Sequence, residues 1–278
     1  MKVAFLGLTG SNSHLAAQKY LSDNATPLGL TSFSKIFSEV SLGFADVGIL
    51  PLENSLTGSI YEIYDLLIKN DLDIIGELFL KINHNLLVKS DFLNKKLSIQ
   101  DITICYSHPE VFKQCRLFLD KHSNIKTVLS SDTSEAARIV SKQKNITTSV
   151  IGNNNLTSIY NLKIIKRNIG DHNNNYTRFI AIGKKGTKSG NKVSIIFSVE
   201  HKPGSLIATL VPYAKFGLNL TKIESRPVIG KPWEYTFFVD FELGEDKKIL
   251  TNVLEEMKKH VKFLKVVGLY EKGKTYES

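Results

Sequence analysis

Val47-Gly48-Ile49-Leu50-Pro51-Leu52-Glu53-Asn54-Ser55 opens as a short apolar run and closes on a carboxylate, an amide and a hydroxyl. Asn175-Tyr176-Thr177-Arg178-Phe179 does the reverse, a polar loop entering an apolar run that lasts to Gly183. A sheet covered by helices builds its sites at strand ends, where polar groups reach a crevice while the apolar stretch stays buried. Both segments therefore predict strands of an α/β sheet with functional side chains at their ends.

The flanking sequence alternates in the same way. Lys2–Gly7 reads as a strand, Ser13–Tyr20 as a helix capped by Ser11 or Ser13, and Phe33–Val40 as a helix with Phe33, Ile36, Phe37 and Val40 on one face. A short strand over Val47–Leu50, a helix over Ile60–Ile68 and extended runs Leu72–Leu80 and Ile82–Val88 follow. A second set has strands at Ile102–Cys105, Lys126–Leu129 and Thr148–Ile151. Its helices fall at Glu110–Lys121, capped near Ser107 with Pro109 in its first turn, at Thr133–Lys142 and at Asn153–Tyr160. Lys163–Lys166 and Thr177–Gly183 are extended. The βαβα alternation predicts mostly parallel sheets in α/β layers.

Lys184 through Lys192 is polar, contains glycine and has no apolar anchor, so it reads as a linker. Beyond it come a strand (Val193–Val199), a helix (Ser205–Phe216), two strands (Asn219–Glu224, Tyr235–Glu242), a helix (Lys247–Lys258) and a strand (Val261–Val267). That is βαββαβ, the α+β ferredoxin-like order. Two domains are expected, 1–183 and 193–270, in a chain of 278 residues.

Composition narrows the function class. Hydrophobic residues make up 42%, the share of an ordinary soluble protein, and no apolar run reaches spanning length. The opening Met1–Gly7 is a strand rather than a signal peptide, so a cytoplasmic home is expected. Cys105 and Cys115 lack a histidine pattern and read as buried reduced thiols, with no metal site. The net charge of +9 is spread over single and paired lysines without interleaved aromatics, which predicts a solvated surface and no nucleic-acid partner. No G-x-G-x-x-G turn or P-loop occurs.

Several segments, in one order, resemble prephenate dehydratase over about residues 2 to 183. Gly7-Leu8-Thr9-Gly10-Ser11-Asn12-Ser13-His14 resembles the family's opening Gly-x-x-Gly-Thr-Phe-Ser, with Ser11 and Asn12 in place of Thr and Phe and Leu8-Thr9 in place of Pro-Glu. Glu53-Asn54-Ser55 with Gly58 is a close match. Tyr106-Ser107-His108-Pro109 with Gln114-Cys115 resembles the Ser-His-Pro-Gln…Gln-Cys segment. Ser130 through Ala136 resembles a Ser-Thr-Ala-Glu-Ala helix entry, and Ile169, Asp171 and Asn175 precede Thr177-Arg178-Phe179 in family order. Read singly, each has a plainer explanation as a cap, a turn or a strand residue, and His14, His84 and His108 read as structural or solvent-facing. Their joint occurrence carries the resemblance.

The resemblance implies a two-lobed catalytic domain like type II solute-binding proteins. It implies an enzyme that converts prephenate to phenylpyruvate, carbon dioxide and water, with no cofactor. Aromatisation drives the reaction, and the protein must hold a dianion and help hydroxide depart. Thr177 is implied as hydrogen-bond donor at the leaving hydroxyl. Arg178 either grips a carboxylate or braces Glu53 or Asp171. Glu53, Asn54 and Ser55 complete the catalytic set. Ser11, Ser13, Ser107 and Thr133, all at expected helix starts that attract carboxylates, are candidate substrate contacts with Gln114 and Phe179.

Residues 193 to 270 resemble an ACT domain through Pro203-Gly204-Ser205-Leu206-Ile207 and Asn219-Leu220-Thr221-Lys222-Ile223-Glu224-Ser225-Arg226-Pro227. Gly204, Ser205, Leu206, Asn219, Glu224, Ser225, Arg226 and Pro227 are then the effector contacts. L-Phenylalanine is the implied feedback inhibitor, and pairing of such domains implies a homodimer or homotetramer. Because the chain opens on the first dehydratase strand, a monofunctional enzyme without a chorismate mutase domain is expected. Arogenate dehydratase is the close alternative, and a non-catalytic amino-acid-binding regulator the alternative of another class.

Overall fold

The structure, a computed structural model, describes residues 1–21, 25–91, 97–187, 189–228, 230–244 and 248–278. Lys188 of the expected linker and Lys247 at the expected start of the last helix lie outside the described residues. The first stretch runs β1 (Lys2–Leu6), α1 (Asn12–Leu21), β2 (Thr26–Leu30), α2 (Phe33–Leu42), β3 (Val47–Asn54), β4 (Gly58–Ser59), α3 (Tyr61–Lys69) and β5 (Asp73–Lys81). The second runs β6 (Asn85–Lys89), β7 (Ile104–Ser107), α4 (Pro109–Gln114), α5 (Arg116–Lys121), β8 (Lys126–Leu129), α6 (Thr133–Lys142), β9 (Thr148–Gly152), α7 (Leu156–Tyr160), β10 (Leu162–Lys166) and β11 (Tyr176–Gly183). The remainder is β12 (Lys192–Ser198), α8 (Ser205–Lys215), β13 (Asn219–Pro227), β14 (Tyr235–Glu242), α9 (Lys248–Lys258), β15 (Phe263–Tyr270) and β16 (Thr275–Glu277).

These strands form sheets ordered β16-β5-β11-β3-β1-β2, β10-β6-β9-β7-β8 and β13-β14-β12-β15. The third has the expected βαββαβ chain order and antiparallel pairs throughout. The second is mixed rather than mostly parallel, whereas the first has β16 parallel to β5 and carries the short antiparallel β4 on β3. β1 pairs in parallel with β2 and β3, and β7 with β8 and β9, but β6 runs antiparallel to both β9 and β10. The chain enters the second sheet along β6 instead of returning to it through a helical crossover, and that reverses its direction. Among the described residues, no helix is long and apolar enough to cross a membrane.

Local chemistry explains several departures from the expected elements. Ser11 caps α1, its Oγ accepting from His14 N at 3.2 Å, so Ser13 lies inside the helix. The expected helix over Glu110–Lys121 is broken at Cys115, where Asp171 Oδ1 accepts from Leu117 N at 3.0 Å and opens a new first turn. Its cap is His108, whose Nδ1 accepts from Glu110 N, and Ser107 belongs to the preceding strand. β2 escapes sequence reading because Thr26-Pro27-Leu28-Gly29-Leu30 has neither alternation nor β-branched density. Gly29 is needed there, since a Cβ on it would collide with the Gly7 carbonyl oxygen.

Packing divides the described chain into two compact units, and the division does not follow chain order. One unit comprises 1–60, 78–179 and 274–278, and the other 61–77 and 180–273. Helix α3 belongs to the second unit because Tyr64 packs edge-on against Phe238 (4.7 Å between ring centres) and Asp65 pairs with Arg226 at 3.0 Å. In the first unit, Cys105 and Cys115 are free thiols in an apolar cluster with Leu86, Val88 and Ile151. Burial pushes the Cys105 thiol up to about 12 and raises Cys115 as well, so both stay protonated.

The second unit also buries a charge pair. Lys192 Nζ donates to both carboxylate oxygens of Glu77 at 2.9 Å, and Gly273 N donates to Glu77 Oε1 at 3.2 Å. Removing one partner leaves a desolvated charge, whereas replacing both with apolar groups removes the need for solvation. Glu77→Ala is expected to destabilise the protein by about 3–5 kcal/mol, and the double replacement Glu77→Leu with Lys192→Met by far less. Chemical denaturation curves of the two variants check the order; equal loss in both would contradict it.

Candidate active site

The two polar clusters named at the outset meet in the first unit. β3 and β11 are neighbours in the first sheet, so Asn54 at the end of one lies beside Thr177 near the start of the other. Asn54 Nδ2 donates to Asn175 Oδ1 (2.7 Å), Thr177 Oγ1 (3.0 Å) and the Tyr176 carbonyl (3.1 Å). Asn54 Oδ1 accepts from the backbone N–H groups of Leu56 and Thr57, which fixes the amide against flipping. Ser55 completes the seam. Its N–H donates to the Tyr176 carbonyl and its Oγ to the Asn174 carbonyl, and it accepts from Tyr176 N.

A cavity of about 680 Å³ opens above this seam. The pleat turns alternate residues of β11 to opposite faces, so Thr177 and Phe179 line the cavity while Arg178 does not. Arg178 is 3% exposed and donates from Nη1 to Glu53 Oε1 at 3.3 Å. Of the two readings of Arg178, bracing Glu53 is the one the geometry has. Neither Glu53 nor Ser55 is in the cavity wall.

Of the expected substrate contacts, Ser11, Ser13, Gln114, Thr133 and Phe179 line the cavity and Ser107 does not. Ser107 is fully buried, with its hydroxyl donated to the Ile151 carbonyl at 2.8 Å. The Ser11 hydroxyl donates to the Leu6 carbonyl while capping α1. At α6 the helix start is already occupied, because Asp132 Oδ1 accepts from Ser134 N and Glu135 N. Thr133 therefore offers its side chain rather than an open helix terminus.

Sequence reading missed His84 and the central place of Asn175. The chain crosses from the first sheet to the second at residues 82–84 and returns just before β11, at Asn175. The crossings are bonded by Ile82 N to the Asn175 carbonyl (2.8 Å) and Ile169 N to the His84 carbonyl (2.9 Å). Asn175 Nδ2 donates to Gln114 Oε1 (2.9 Å), which also meets His84 Nε2 at 2.7 Å. Burial lowers the pKa of His84, outweighing the upward pull of its Gln114 bond and of Asp171, so the ring is neutral at pH 7. The only sequence signal was one histidine inside an apolar run, Ile82–Val88, and that pattern does not reveal a crossover. His108 also faces the cavity, whereas His14 is buried, accepting from Gly10 N and packing on Phe5.

The cavity's charge is unexpected for a site that holds a dianion. Among the described residues that line it are Glu110, Asp132 and Glu135, and no lysine or arginine. Glu110 and Glu135 are paired with Lys113 and Arg138 on their own helices.

The candidate effector residues lie in the second unit. Gly204 adopts φ +80, a left-handed turn that leads into α8, and Ser205 and Leu206 begin that helix. Both line a small cavity of about 150 Å³ with Trp233 and Phe237. Asn219, Glu224, Ser225, Arg226 and Pro227 lie along β13, an edge strand. Arg226 is engaged with Asp65 and stacks on the Tyr61 ring at 4.5 Å, and Glu224 pairs with Lys222 at 3.7 Å.

Comparison with known proteins identifies the family. The family model described as prephenate dehydratase matches residues 3–187. A bifunctional chorismate mutase/prephenate dehydratase of Enterobacter agglomerans is 33% identical over 276 residues, 97% of this chain and 70% of its own length. The crystal structure of prephenate dehydratase from Staphylococcus aureus subsp. aureus Mu50 superposes with TM-score 0.84 at 26% identity, covering 97% of this chain and 100% of that one. The prephenate dehydratase of Arthrobacter aurescens in complex with L-Phe has the same fold (TM-score 0.85, 24% identity, 98% and 90% covered). With the family model matching residues 3–187 and a 33% identical relative aligned over 97% of this chain, this chain belongs to the prephenate dehydratase family, a family of decarboxylating lyases.

Proposed function

We propose that the cavity above β3 and β11 is where prephenate loses carbon dioxide and water to give phenylpyruvate in phenylalanine biosynthesis, in the cytoplasm. The bond to the ring carboxylate breaks and its electron pair enters the ring. The bond to the ring hydroxyl then breaks, and the departing hydroxide takes one proton to become water. Electrons balance within the substrate, so no redox cofactor is required. The apolar part of the wall, with Phe179, Ile82 and Val111, desolvates the ring carboxylate and favours its loss.

The observation that carries the assignment is the bond from Asn54 Nδ2 to Thr177 Oγ1. By accepting there, the Thr177 hydroxyl has its own proton left to donate into the cavity. A threonine hydroxyl is a weak acid, so Thr177 stabilises charge at the leaving oxygen or relays a proton rather than acting as a reservoir. With no lysine or arginine in the described wall, the side-chain carboxylate of the substrate is held by neutral donors such as Gln114, Ser13 and Thr133.

One observation favours a second substrate, arogenate. Its side chain carries an ammonium where prephenate has a keto group, and Asp132 is a carboxylate in the cavity wall. Asp132→Asn keeps the helix cap and removes the charge.

We assign the catalytic and regulatory domains to 1–183 and 193–270, the first a two-lobed fold of the type II solute-binding kind, the second an ACT domain. The βαββαβ sheet, the Gly204 turn and the L-Phe complex of the Arthrobacter aurescens relative support phenylalanine as feedback inhibitor. Its carboxylate meets the Gly204–Leu206 turn, and Glu224 of a paired subunit in a homodimer or homotetramer meets its ammonium.

Thr177→Ala is expected to lower kcat for prephenate by about 10²-fold or more, with Thr177→Ser retaining most activity, in a phenylpyruvate-release assay. Activity of the alanine variant within a few-fold of wild type would contradict the role. In Asp132→Asn, the kcat/KM ratio of arogenate to prephenate is expected to fall, measured as phenylalanine against phenylpyruvate formed. Gly204→Val places a β-branched residue at φ +80, so inhibition by phenylalanine is expected to weaken about tenfold or more while uninhibited activity persists. An unchanged inhibition curve would refute the Gly204 site.

A further inference from the structure

Gln114 lines the cavity, and which end of its amide faces the substrate decides whether it attracts or repels a carboxylate. The two ends are nearly isosteric, so the choice depends on neighbours. Asn175 supplies one constraint, and it is itself constrained. Asn54 Nδ2 donates to Asn175 Oδ1 at 2.7 Å, so Asn175 turns its Nδ2 toward Gln114, 2.9 Å from Oε1. His84 Nε2 stands 2.7 Å from the same oxygen. A carbonyl oxygen can only accept, so the His84 proton lies on Nε2. Reversing Gln114 would set its amide nitrogen against the Asn175 donor and would require the His84 proton to move to Nδ1, so the observed orientation pairs with the Nε2–H form of His84.

We propose that His84 is a positioning residue of this active site: its Nε2–H, with Asn175, locks Gln114 so that the Gln114 amide N–H groups face the substrate carboxylate. His84 itself touches no reacting atom in this scheme. The neutrality of the ring follows from its burial at 5% exposure and from its lowered pKa. The arrangement matters because the described wall has no lysine or arginine, so a misoriented amide oxygen would face the dianion with nothing to offset it. His84 and Asn175 sit at the two chain crossings, one in each direction between the first and second sheets. Gln114 is thus held by the segments that join the two halves of the cavity.

This inference rests on the cavity being the prephenate site, and the test separates the two. His84→Leu removes the donor and keeps an apolar side chain. It is expected to raise KM for prephenate about tenfold or more while kcat stays within about threefold, the pattern of lost uniform binding. His84→Gln offers an amide nitrogen where Nε2 stood, and is expected to recover KM to within about threefold of wild type. In a Gln114→Leu background, His84→Leu is expected to add no further loss, because the histidine acts only through that amide. Nitrogen-15 NMR of the free wild-type enzyme is expected to show His84 neutral with its proton on Nε2. An unchanged KM in His84→Leu, no rescue by His84→Gln, additive losses with Gln114→Leu, or a proton on Nδ1 would each overturn the proposal. Absence of prephenate turnover by the wild-type enzyme would overturn the assignment of the cavity instead.

Discussion

The side-chain amide of Asn54 is the contact on which the proposed active site depends. Its nitrogen ties three acceptors from the β11 entry, and its oxygen holds the turn after β3. The chain separation bridged is over a hundred residues, so the contact forms only when the first sheet is assembled with β3 beside β11. Once formed, it sets the direction of the Thr177 proton and, through Asn175, the orientation of Gln114. A buried polar network of this kind is costly when any member is missing, because each neighbour then loses its partner in a low-dielectric setting.

Pleating separates two roles that the sequence places side by side. Thr177 and Phe179 share the cavity face, and Arg178 between them goes to the other face, where Glu53 receives it. The guanidinium therefore stiffens the β3–β11 seam from behind. Apart from the carboxylates of Glu110, Asp132 and Glu135, the polar wall is made of hydroxyls, amides and imidazoles, and in the proposed mechanism the hydroxyls and amides hold the anion by directed hydrogen bonds. The chain as a whole is basic, +9, yet no lysine or arginine is among the described residues of this wall.

Much of this was legible in the residues. The strand at Val47 and the run through Gly183 could be read because their apolar cores end abruptly in polar clusters, and the βαββαβ order because its elements are long and regular. Helix starts were read less well. Ser11 and Ser13 differ by half a turn, and only the Oγ bond to His14 N decides between them. Ser107 and Thr133 were expected at open helix starts, but His108 and Asp132, one residue away from each, take the cap. β2 and β16 are short strands without alternation, and pairing with β1 and β5 defines them rather than propensity. His84 was illegible for a topological reason. Its proposed role comes from its place at the crossing between sheets, and no local pattern announces a crossing.

The most direct measurement is a crystal structure of the enzyme with an unreactive analogue of prephenate that retains the ring hydroxyl and both carboxylates. The expected pose places the ring hydroxyl within hydrogen-bond distance of Thr177 Oγ1 and a carboxylate against the Gln114 amide nitrogen, with Arg178 still bound to Glu53. A pose in which Arg178 turns to grip a carboxylate, with Thr177 out of reach of the leaving oxygen, would contradict the mechanism.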